Sequence, residues 1–70
     1  MTSMEVERIA RFEKQLGHRH VQILTVAADY PSYAVIGDIL KIRPGTVKSR
    51  LHRARKALAD LEAKEATERP

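Results

Sequence analysis

Seventy residues with 43% hydrophobic content suffice for one small domain, and a chain of this length closes no deep catalytic cleft. The absence of cysteine excludes a disulfide framework and a thiolate zinc site, and no apolar run approaches the roughly 20 residues that span a bilayer. The formal net charge of +4 points to a polyanionic partner, and it is unevenly spread: between Asp38 and Asp60 no acid occurs, while Lys41, Arg43, Lys48, Arg50, Arg53, Arg55 and Lys56 all do.

Apolar spacing predicts an all-α domain of four helices. Thr2 with Glu5 three residues later fits a capping box, and Val6, Ile9, Phe12 and Leu16 recur at helical spacing until Gly17 interrupts, which gives an N-terminal helix over about 3–16. A second helix over about 18–29 places Val21, Leu24 and Ala28 on one stripe with Ile23 and Ala27 beside them, and Pro31 ends it. Ser32 suits the N-cap of a short third helix with Val35, Ile36, Ile39 and Leu40 as its buried side. Lys41-Ile42-Arg43 is then only a turn. Pro44 fits the first position of a helix, where its missing N–H costs nothing, so the last and longest helix is predicted over 44–63. Residues 18–63 thus form a helix-turn-helix core. Lys56, Asp60, Lys64 and Glu68 repeat every four residues as a ladder of i,i+4 pairs, and acids near the C-terminus oppose the macrodipole, so 67–70 are expected to fray.

At 3.6 residues per turn, Val47, Leu51, Ala54, Leu58 and Leu61 of the last helix lie on one narrow apolar stripe. Opposite it stand Ser49, His52 and Lys56, with Lys48 and Arg53 at the edges and Arg50 and Arg55 nearer the core boundary. A solvated surface helix would show the same stripe. It would normally interleave both charge signs, however, and would not be preceded by a short helix and a tight turn, the arrangement that holds a recognition helix proud of its domain. The outer face is therefore the candidate nucleic-acid surface.

The same segment resembles a known family. Its most specific part is Gly45-Thr46-Val47-Lys48-Ser49-Arg50-Leu51-His52-Arg53-Ala54-Arg55, preceded by Ser32-Tyr33 and the apolar run through Leu40. Region 4 of extracytoplasmic-function bacterial sigma factors typically reads Ser-Tyr-x-Glu-Ile-Ala-x-x-Leu-Gly-x-x-x-Gly-Thr-Val-Lys-Ser-Arg-Leu-x-Arg-Ala-Arg. LuxR-type domains share the Gly-Thr-Val-Lys core, but usually lack the Arg-x-Ala-Arg ending. Upstream, Leu16 through Ala28 is similar to the family's preceding helix mostly in apolar pattern.

The resemblance implies a sequence-specific, double-stranded DNA-binding transcription regulator in the bacterial cytoplasm, associated with the nucleoid. It implies base contacts from Lys48, Ser49, His52 and Arg53 in the major groove, matching the outer side of the wheel, and docking on RNA polymerase. Arg53 has the fork that pairs with guanine O6 and N7, and Lys48 reaches guanine or phosphate. Arg43, Gly45 and Thr46 stand at a helix N-terminus that favours phosphate, and Arg50, Arg55 and Lys56 are further phosphate candidates. For Arg50, an ion pair with Asp38 or another acid is the competing expectation.

Departures from the family pattern are specific. Lys41 replaces the turn glycine and must either enter a left-handed conformation at about 1 kcal/mol or take a different turn. Arg43 replaces a small polar cap, and Tyr30-Pro31 replaces Gly-Leu. Gly37 stands where Ala is usual, and either is expected to be small enough for a close helix crossing. No segment corresponds to region 2, which melts promoter DNA. Three readings stay open: a stand-alone regulator, weakly favoured by the Met1-Thr2-Ser3 start; the C-terminal domain of a longer sigma factor; or an interaction module for polymerase or an anti-sigma factor. A homodimer through Leu58 and Leu61 is left undecided, because two leucines do not make a coiled coil. His18 and His20 read as the opening of a helix rather than a metal site, and no nucleophile, carboxylate pair or phosphate loop suggests an enzyme or a cofactor.

Overall fold

The computed structural model describes residues 4–68, and the capping box at Thr2 lies outside them. The described chain contains no strand; it runs α1 (Met4–Arg11), α2 (Glu13–Leu16), α3 (His18–Asp29), α4 (Tyr33–Leu40) and α5 (Pro44–Glu68). The single N-terminal helix expected over 3–16 is thus two pieces. They part at Phe12, whose backbone (φ −111°, ψ 17°) leaves helical geometry and whose N–H reaches the Ile9 carbonyl at 3.2 Å. On either side of this break α1 and α2 both pack on α3, and each also reaches α5, α1 through Arg8 and Arg11. Ile9, Phe12 and Leu16 are all buried despite the break.

Gly17 joins α2 to α3 at φ 86°, a left-handed conformation that costs glycine nothing, and it lets a new helix begin at once. Helix α3 buries Ile23 and Leu24 and half-buries Val21, Ala27 and Ala28. Ahead of Pro31, Tyr30 is extended, as a residue before proline must be to avoid the ring.

In α4 the Ser32 hydroxyl caps the helix, accepting the Val35 N–H at 3.4 Å. The buried side is narrower than the apolar pattern suggested. Ile36 and Gly37 are buried and Leu40 half-buried, whereas Val35 and Ile39 are 40% and 44% exposed. At about 100° per residue Val35 stands at least 100° from each of Ile36, Gly37 and Leu40, and Ile39 is about 60° beyond Ile36 at the rim of that face.

The turn into α5 takes the left-handed alternative: Lys41 sits at φ 61°, ψ 41°. The Lys41 and Ile42 N–H groups both donate to the Gly37 carbonyl, the latter at 2.9 Å, so a 5→1 and a 6→1 bond close the α4 C-terminus around the left-handed Lys41. The Ile42 carbonyl folds back over Gly37, and a Cβ added there would meet that oxygen at 2.5 Å. The position accommodates glycine and not alanine, contrary to the expectation that either would fit.

Val47, Leu51, Ala54 and Leu58 of α5 form the buried stripe, between 0% and 5% exposed, with Leu61 packed half-buried at its end. Together with Ile36, Ile23, Leu24, Ile9, Phe12 and Leu16 they make the core. Helix α5 continues to Glu68, five residues past the expected end at 63. Its last turns are held from outside the helix. The Arg8 guanidinium donates to both Glu62 oxygens, Nε to Oε2 at 2.8 Å and Nη2 to Oε1 at 2.6 Å, and Arg11 grips Glu65 in the same two-pronged way. The Thr67 hydroxyl donates to the Ala63 carbonyl at 2.9 Å. Of the expected i,i+4 ladder, only Lys64 with Glu68 comes within pairing distance, at 4.0 Å.

Candidate nucleic-acid interface

Helix α5 is positioned by one face and free on the other. Burial of Val47, Leu51 and Ala54 against α3 and α4 fixes its rotation about its own axis, so Lys48, Ser49, His52 and Arg53 all stand exposed. These four line one open surface groove, together with Arg55 and with Tyr33 from the start of α4. Tyr33, 38% exposed, was not among the sequence candidates. Only its place at the head of the short helix, facing α5 across the turn, could have drawn attention to it.

The phosphate candidates divide among several places. Arg43 and Gly45 are exposed and Thr46 half-buried at the entry to α5, where the Val47 N–H donates to the Arg43 carbonyl at 3.0 Å. Arg55 lies at the edge of the groove just described, and Lys56 is exposed on the outer side. Arg50 stands apart, on the opposite flank, beside Arg19 and Gln22 of α3.

Pairing distinguishes two populations of arginine. Arg8 and Arg11 are bound to carboxylates, and the Arg8 hydrogen bonds hold the Glu62 carboxyl below its usual range. Among the described residues no ion pair involves Arg43, Lys48, Arg50, Arg53, Arg55 or Lys56, nor Asp38, the acid nearest the turn. The Ser49 hydroxyl donates to the Gly45 carbonyl at 3.2 Å, one turn back, which leaves its lone pairs free to accept. The surface therefore presents donors, one hydroxyl acceptor and an imidazole that can serve as either. His18 and His20 open α3, and among the described residues no group of three His, Asp or Glu side chains comes together. No helix of the described residues is long and apolar enough to cross a membrane.

Residues 32–58, spanning α4, the turn and α5 through Leu58, match the family described as Sigma-70, region 4. Domains of this family bind promoter DNA, and the family is not a catalytic one. No curated protein and no solved structure matches the chain.

Proposed function

We propose that this sigma region 4-type helix-turn-helix acts as a transcription regulator that lays α5 in the major groove of promoter DNA, docked on RNA polymerase. Lys48, Ser49, His52 and Arg53 read base edges; Arg43, Gly45, Thr46, Arg50, Arg55 and Lys56 hold phosphates. The observation that carries this reading is the acid-free stretch from Lys41 to Lys56, whose exposed cations in the turn and on α5 make no ion pair among the described residues, while Arg8 and Arg11 are paired. Unpaired cations on a rigid helix match the regular negative charge of a duplex and release its counterions on binding. Arg53 suits guanine, whose O6 and N7 both accept, and Ser49, with its proton committed to Gly45, suits the amino group of adenine or cytosine. A single module of this size buries only about 600–1,000 Å², so polymerase supplies the remaining affinity.

Two variants separate reading from gripping. Sites are first selected from random duplexes, and binding to the selected and a scrambled duplex is then measured across a salt series. Arg53→Ala is expected to cost about 1–3 kcal/mol on the selected duplex and much less on the scrambled one. Arg43→Ala is expected to weaken both alike and to lower the salt slope by about one unit. Equal weakening of both duplexes by Arg53→Ala would show that α5 grips the backbone and does not read sequence.

A further inference from the structure

On the flank of α5 away from Lys48, Arg50 shares a depression with Arg19 and Gln22 of α3, lined also by Ile23 and Leu40. No acid lines it. Neither guanidinium makes an ion pair or hydrogen bond with another described residue. Arg19 also stands in the first turn of α3, which carries no acid, and there the macrodipole disfavours a cation. In the free protein the dipole therefore acts against Arg19, and no acid offsets either cation. An oxyanion bound there would supply the missing negative charge.

We infer that Arg19, Gln22 and Arg50 form a phosphate site for the DNA strand bordering this flank of α5, so that α3, which precedes the helix-turn-helix, is itself a DNA-contacting element. The inference rests on α5 being the groove helix. A helix about 10–12 Å across its side chains nearly fills a major groove about 12 Å wide, so a phosphate strand runs along each flank. Arg50 lies about 60° around α5 from Arg53 and one turn before it, at the step from base edge to backbone. Arg55, on the other flank, faces the other strand. Guanidinium forks match phosphate oxygens two at a time, and the Gln22 amide adds a donor. An acidic protein segment would satisfy the same charges, but continuity with the Arg53 face favours the duplex.

The test uses the full chain on duplexes chosen by selection, with each phosphate replaced in turn by a neutral methylphosphonate. Arg19→Ala is expected to weaken selected and scrambled duplexes equally and to lower the salt slope by about one unit, so that its deficit shrinks roughly threefold between 50 and 200 mM salt. Arg19→Lys should keep the slope, and Arg19→Glu should lose more than Arg19→Ala. One flanking methylphosphonate should weaken the native chain and leave Arg19→Ala unaffected. If Arg19→Ala kept the native slope while Arg53→Ala still lost discrimination, the phosphate site would be refuted with the groove reading intact, and the pair would face an acidic protein segment. If the native chain bound no duplex, both readings would fall together.

Discussion

Replacing Gly37 by alanine sets helix propensity against packing, and the structure decides which wins. Within α4, alanine is favoured over glycine by about 1 kcal/mol, so propensity alone predicts a more stable protein. The new methyl would lie 2.5 Å from the Ile42 carbonyl oxygen, where a relaxed carbon–oxygen contact needs about 3.3 Å. That oxygen belongs to the backbone, and it cannot simply swing aside. The Ile42 N–H is bonded to the Gly37 carbonyl at 2.9 Å, and Pro44 starts α5 two residues later with its φ fixed. Overpacking relieved by side-chain motion costs about 1–3 kcal/mol, and relief by backbone motion belongs at the upper end. Subtracting the propensity gain leaves a net loss of about 2 kcal/mol, a fall in Tm of roughly 10 °C for a domain of this size. Gly45→Ala is the internal control, because nothing lies within 4 Å of its added Cβ in the first turn of α5. It should stabilise by up to about 1 kcal/mol. Thermal and urea unfolding followed by circular dichroism read both variants, and a Gly37→Ala protein as stable as the native one would refute the argument.

Two further perturbations probe the turn and the ion pairs. Lys41→Gly should raise stability by about 1 kcal/mol in a urea melt, since glycine adopts φ 61° without the penalty that lysine bears. Glu62→Gln should flatten the acid limb of the stability profile. The Glu62 carboxyl is held low by Arg8, so its contribution is complete above its unfolded pKa of about 4.3 and is lost as pH falls through the lower folded value. With the carboxylate about a third exposed (32%), the surface-pair range of about 0.2–1 kcal/mol applies, and the native and variant curves should converge at the acid end of the profile, once the folded-state carboxyl is protonated. Curves that stayed parallel throughout the acid range would remove Glu62 from the acid response.

The elements that were legible in the sequence are those whose determinants are local. The four-three spacing of Val47, Leu51, Ala54, Leu58 and Leu61 anticipated the buried stripe of α5, Ser32 its role as a cap, and Pro44 the helix start. What was not legible depends on partners distant in the chain. Phe12 and Leu16 keep helical spacing across the break, so only the non-helical backbone of Phe12 reveals it. In α4 nearly every residue is apolar, and pattern alone could not say that Val35 and Ile39 face outward. Dipole reasoning led to the expectation that 67–70 fray, whereas Glu62 and Glu65 near that end are held by Arg8 and Arg11 from the other end of the chain. At the interface, the exposed face of α5 followed from the wheel. The proximity of Tyr33 and Arg19 to it did not, since each belongs to a different helix.

The two clamps between α1 and α5 each join residues 54 positions apart. For a flexible chain, closing a loop of that length costs roughly 3.5 kcal/mol in the logarithmic term alone, more than two partly exposed ion pairs return. The clamps therefore cannot gather the chain. They close only after the helices between them have packed and brought the ends together, when the entropy of closure has already been lost. The local contacts of α4, its turn and α5 can form first, with little loop to close. The interface is thus carried by the part of the chain that needs the least long-range assembly, and the ion pairs register that assembly is finished.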